Sequence, residues 1–147
     1  MKEKKVLLES QIREIYGRVV YTHKTHEKCA DVLKERNDCL KITEVILSAL
    51  TTTSILVVIF GEGIVFQFLA ALFSTALLCL SLYSKDYNLL ALAEKHKQAA
   101  LDIIEVREKL LSLLVDIRIG NKDVSEYQIE RNKLNEQLLN AYRGAPK

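Results

Sequence analysis

His23, His26 and Cys29 recur every three residues in YTHKTHEKCAD, and imidazole with thiolate is a zinc-type donor set. On a helix, three-residue steps drift slowly around one side. Zinc needs three or four converging donors with outer hydrogen-bonding support, and H-x-x-H is far less constrained than the known helical zinc motifs. The favoured reading is polar residues at helix–helix or interprotomer contacts. His96 is placed to meet His26 across a bundle. No metal or cofactor is expected. Neither a G-x-S-x-G elbow nor a glycine-rich phosphate loop occurs among the isolated glycines, and 19 acids on solvated helix faces single out no catalytic pair. The expectation is a protein that is not an enzyme.

A second set of polar side chains lies where water is scarce. Glu44, Ser48 and Thr51 or Thr52 stack at helical spacing, and Gln67, Ala71, Ser74, Leu78 and Ser81 follow a 4-3-4-3 series. Such a stripe can line a water-filled path. It can equally be a close helix contact, in which hydroxyls bond their own backbone. Both readings stay open from sequence.

The elements that must position these residues follow from charge. Between Val45 and Tyr83 the chain has no Lys, Arg or Asp, and Glu62 is its one ionisable carboxylate. The run is too long for one crossing and divides at Gly61-Glu62-Gly63. Ile42–Phe60 would be roughly 28 Å of helix and Ile64–Ser84 about 31 Å, against a hydrocarbon core of ~30 Å. The glycines are expected to supply positive φ for the reversal. Glu62 is then at the tip, where its charge costs less than the ~2.5–3.5 kcal/mol of mid-span. Each span carries at least ten Val, Ile, Leu or Phe residues, which favours insertion by on the order of 3–6 kcal/mol. The alternative, a soluble bundle around this hairpin, lacks flanks apolar enough to wrap two helices that are apolar all round.

The flanks read as helices. Leu8, Ile12, Ile15, Val19, His26, Ala30, Leu33 and Leu40 form one stripe, and Leu89, Ala93, His96, Ala100, Ile103, Leu110, Leu114 and Ile117 another. A kink is expected near Ser84–Asp86. GNKD at 120–123 breaks the helix, and the next one is capped either by a Ser125–Gln128 box or by Asp123 with Glu126. The fold class is therefore an all-α membrane protein. Its parts are an N-terminal amphipathic helix (1–41), a transmembrane hairpin (42–84, turn 61–63) and further helices (85–147).

All 21 Lys and Arg lie outside the hairpin. By the positive-inside rule both termini are expected in the cytoplasm of a multi-pass inner-membrane protein. The net charge of +2 is spread over both flanks, so no nucleic-acid surface is expected. Cys29, Cys39 and Cys79 are odd in number without C-x-x-C spacing, which suits a reducing compartment. The N-terminus shows no secretory h-region.

YTHKTHEKCADVLKERN, the short loop of VVIFGEGIVF and the long return SLYSKDYNLLALAEKHKQAALDIIEVREKLLSLL together resemble the SLATT family. These are bacterial SMODS- and SLOG-associating two-transmembrane effector domains, and the similarity runs over roughly residues 8 to 142. The resemblance implies an effector of antiphage or conflict systems. Such an effector forms a pore or disrupts the membrane once a separate sensor protein or nucleotide-signalling system is triggered, and it kills or arrests the cell. The implied partners are the lipid bilayer, further copies of the chain as a homo-oligomer, and that sensor. The family brings no catalytic residues. A non-conducting anchor whose helices recruit a soluble partner is the alternative, and a phage-type holin fits the large charged flanks less well.

Overall fold

In a computed structural model, residues 2–61 and 63–146 are described; Glu62, expected at the hairpin tip, lies outside them. Four α-helices account for nearly all of the described chain: α1 (Lys2–Phe60), α2 (Ile64–Asp86), α3 (Leu89–Ile119) and α4 (Val124–Gly144). The protein is all-α, and no strand occurs among the described residues. Two of its apolar segments, one in α1 and one beginning at Ile64, are long and apolar enough to cross a membrane.

α1 has neither Gly nor Pro between Arg18 and Phe60, so nothing in that stretch interrupts its 3.6-residue hydrogen-bond ladder. The helix stops at Gly61, and α2 begins after Gly63. The expected positive φ is not found at either glycine. Gly63 has φ −162°, an extended conformation open to any residue, and among the described residues only Gly120 has positive φ. A side chain at either position would be tight, more so at Gly61, where the neighbour is backbone, than at Gly63, where it is the exposed Phe66 ring. A Cβ on Gly61 would stand 3.0 Å from the Val57 carbonyl oxygen, and one on Gly63 would stand 3.1 Å from the Phe66 ring.

The second interruption falls later than the expected kink. α2 ends at Asp86, with the Tyr87 N–H donating to the Tyr83 carbonyl (3.0 Å). Asn88 then opens α3, its Oδ1 accepting the Ala91 N–H (3.0 Å) as an N-cap side chain does. The Tyr83 and Tyr87 rings lie 4.7 Å apart at this end of the span, and tyrosine is enriched where a helix leaves hydrocarbon for water.

The chain divides into two compact units. One is drawn from residues up to Asp31 and from Ala93 onward. Its core is Leu8, Ile12, Ile15 and Val19 of α1, packed with Ile103, Val106, Leu110, Leu113, Leu114 and Ile117 of α3 and Tyr127, Leu134 and Leu138 of α4. The 4-3-4 steps on α1 place its four side chains on one face. Ala30, Leu33 and Leu40, further along the expected stripe, are only half-buried.

At the 120–123 break, Gly120 takes φ +77° and its N–H donates to the Asp116 carbonyl (2.9 Å), the αL ending that favours glycine. α4 starts at Val124, so Ser125 lies inside the helix and the Ser125–Gln128 box does not form. Asp123 holds the N-cap position through its backbone carbonyl, which accepts the Glu126 N–H (3.1 Å); its side chain makes no capping bond. Tyr127 ties the break together. Its hydroxyl donates to the Asp116 carbonyl (2.7 Å), lies 2.9 Å from Asn121 Oδ1 and accepts the Lys122 N–H (3.2 Å). Surface ion pairs, such as Glu9 with Arg13 (2.7 Å) and Arg118 (3.3 Å), add at most about 1 kcal/mol each.

Candidate functional site

The second unit, Val32–Leu92, holds the hairpin. Along α1 the residues turned inward are Glu44, Leu47, Thr51, Ser54 and Val58, a strict 3-4-3-4 progression. Along α2 they are Leu69, Ala70, Phe73, Leu77, Leu80 and Ser84. These rows form the seam between the helices. Ser54, 7% exposed, is the most enclosed residue of the spans, and a small side chain there lets the backbones approach.

The polar residues expected on one face are divided by this seam. Thr51 is on it, half-buried, with its hydroxyl bonded to the Leu47 carbonyl (2.8 Å). Ser48 and Thr52 stay exposed. Together with the half-buried Glu44 and with Ser81 of α2, they line an open groove of about 880 Å³, along with Lys41, Val45, Ala49, Thr53 and Leu77. Gln67 and Ser74 are exposed and do not line it. They are 14 and 7 residues before Ser81, and a heptad step returns to within ~20° on a helix. They therefore continue the Ser81 face towards the turn without joining the groove.

The hydroxyls are already partly satisfied. Thr52 donates to the Ser48 carbonyl, Thr53 to Ala49 (both 2.9 Å) and Thr75 to Ala71 (2.8 Å). That bonding makes each threonine tolerable in hydrocarbon. Outside groove and seam the hairpin shows apolar surface, including Phe60 at 87% exposed and Phe68 at 70%. Exposed apolar surface of this extent is unusual for a soluble monomer and normal against lipid.

In the other unit, His26 and His96 come together. Their Nδ1 atoms are 2.9 Å apart and their ring centroids 5.1 Å, tilted by 38°. His96 is 8% exposed, and burial, followed by the charge of His26, holds its pKa below the ordinary 6.5. His23 is 5% exposed and also held low, chiefly by burial and partly by Arg107 and Lys24 against the opposing Glu27 and Glu108. Cys29 is half-buried with a free thiol. Among the described residues no three His, Cys, Asp or Glu side chains converge as a metal site would require. His26 also borders a groove of about 700 Å³ between α1 and α4, with Arg18, Tyr21, Asn135 and Tyr142.

Residues 8–147 match the family model described as SMODS and SLOG-associating 2TM effector domain family 4. The chain belongs to this family. No curated protein and no solved structure matches it.

Membership in this SLATT family makes the chain a membrane effector domain of bacterial conflict systems, and its two segments long and apolar enough to cross a membrane agree with the 2TM part of that description. Sequence reasoning missed two features of the site. Ser54 carried a signal, because it falls three residues after Thr51 and four before Val58 in the seam progression. The grouping of Ser81 with Glu44, Ser48 and Thr52, and the exclusion of Gln67 from that group, depend on which helix faces meet; no single-helix periodicity carries that information.

Proposed function

We propose that several copies of this effector assemble in the bacterial inner membrane, with the Glu44, Ser48, Thr52 and Ser81 faces turned towards a shared water-filled path. That path discharges the membrane, and arrests or kills the cell, when a separate sensor protein or nucleotide signal triggers assembly. The observation that carries this reading is the groove on the hairpin flank, polar on one wall and open to its surroundings. Ionisable and polar side chains within spans face protein or water rather than lipid, and two helices alone cannot enclose a channel. Neighbouring hairpins are the covering that meets both conditions. The absence of any Lys or Arg between Val45 and Tyr83 supports both termini being cytoplasmic, in a multi-pass arrangement.

One observation favours a second reading. The threonine hydroxyls bond their own helix carbonyls, so the hairpin can sit in lipid as a non-conducting anchor whose partner binds the charged unit.

Induced expression in bacteria separates the two. With a membrane-potential dye and propidium followed at matched membrane levels, the pore reading expects depolarisation to accompany growth arrest. Arrest without depolarisation, or inserted protein that neither depolarises nor arrests cells with any trigger supplied, favours the anchor.

A further inference from the structure

We propose that His26 and His96 form a proton-operated latch between α1 and α3, closed with up to one extra proton on the pair and forced open by the second. The geometry sets the count. Two Nδ1 atoms 2.9 Å apart are bonded only when one carries a hydrogen and the other offers its lone pair. In the neutral pair, one ring is therefore the Nδ1–H tautomer and the other the Nε2–H tautomer. The first added proton goes to the free Nε2 of the donor ring, and the bond survives as a charge-assisted one. The next has no vacant nitrogen except the accepting Nδ1. Two N–H groups on two positive rings then face each other, and the contact is lost.

The surroundings do little to offset that repulsion. The influences on His96 are burial and His26, both of which disfavour its charged form. His26 shares its groove with Arg18 of α1, Tyr21 of α1 and Tyr142 of α4, none of them a carboxylate. Glu27 and Glu108 act on His23, one turn away, and there oppose Arg107 and Lys24. Glu27 is itself paired with Lys24 (2.6 Å) and Glu108 with Arg107 (2.6 Å).

The sign follows directly. A histidine whose folded-state pKa lies below its unfolded 6.5 binds fewer protons when folded, so its contribution is present above about pH 6.5 and is lost as pH falls towards the folded-state value. Opening takes up one proton more than the closed pair holds. That proton is taken up around the unfolded value of 6.5, so between pH 7.5 and 5.5 the opening equilibrium rises about tenfold. Where this unit faces the cytoplasm, as proposed above, the signal is cytoplasmic acidification; the latch itself does not depend on that reading.

Two measurements on the full chain in lipid nanodiscs test it. Imidazole nitrogen NMR at pH 7.5 should show one protonated and one unprotonated Nδ1, with coupling across the N–H···N bond. Two like Nδ1 atoms would overturn the latch. Backbone hydrogen exchange over residues 20–30 and 93–100, corrected for intrinsic pH dependence, should lose about tenfold protection from pH 7.5 to 5.5 in the native chain and in His23→Gln. In His96→Gln, where the amide can still bond His26 but does not titrate, the loss should shrink to less than about twofold. An unchanged response in His96→Gln, or one abolished by His23→Gln, would contradict the proposal. The NMR result stands on the native protein alone, so a misfolded variant does not rescue it.

Discussion

The double substitution Ser48→Leu with Thr52→Leu is expected to leave the effector in the membrane and to reduce its depolarising flux at least about tenfold, because apolar constrictions close a path by dewetting. Both side chains are exposed on the groove wall of α1, and replacing both makes the middle of that wall, between Glu44 and Thr53, aliphatic. Insertion should not suffer, since each leucine favours it by roughly 0.3–0.6 kcal/mol. The control is Gln67→Leu, which removes a polar group of similar reach outside the groove and should leave more flux than the double variant does. Flux and arrest are read at equal membrane abundance. Equal loss from Gln67→Leu, or none from the double variant, would mean that the groove does not line the path.

The second large effect is on stability. Tyr127 is 1% exposed, sits among Leu134, Leu138 and the apolar row of α3, and carries the hydrogen bonds of the 120–123 break. Tyr127→Ala removes both roles and should cost about 3–5 kcal/mol, the range for large aromatic deletions. That is a large share of the ~5–15 kcal/mol that holds a typical domain together. Tyr127→Phe keeps the ring and should cost closer to 1 kcal/mol, near the low end for a lost buried hydrogen bond. The Asp116 carbonyl still accepts the Gly120 N–H, so the Lys122 N–H and Asn121 Oδ1, both on exposed residues, are left to find other partners. Global-unfolding hydrogen exchange of α3 and α4 core amides in the full chain measures both. An alanine variant within about 1 kcal/mol of native would show that Tyr127 does not anchor the break.

Much of this was legible from spacing. The hairpin limits at Phe60 and Ile64 follow from the charge-free run, and Leu8, Ile12, Ile15 and Val19 follow from their 4-3-4 steps. Leu110, Leu114 and Ile117 were legible in the same way. His23 falls four residues after Val19 and is buried with that row, although its chemistry drew attention to ligands instead. The kink expected near Ser84–Asp86 falls at Tyr87–Asn88, where the Asn88 side chain caps the next helix; hydropathy does not register a cap. The positive φ expected of Gly61 and Gly63 is absent. A Cβ there would crowd the Val57 carbonyl or the Phe66 ring, near neighbours within the last turn of α1 and the first turn of α2 that a hydropathy pattern does not register.

The groove was the least legible feature. Each helix presents several polar rows, and only packing selects the one left open. Ser81 joins Glu44 because Leu77 and Ser84 bracket it along the seam side of α2.

The central claim is that the groove faces water in the active assembly, and substituted-cysteine recording in planar bilayers tests it most directly. Cys29, Cys39 and Cys79 are free thiols and would first be replaced by serine. Ser48→Cys and Thr52→Cys would then be compared with Leu72→Cys, at an exposed apolar position outside the groove. A charged, membrane-impermeant thiol reagent should block current through Ser48→Cys and Thr52→Cys and spare Leu72→Cys. Block at position 72 equal to that at 48 and 52, current indifferent to the reagent at both groove positions, or no current from the triggered protein would contradict the account.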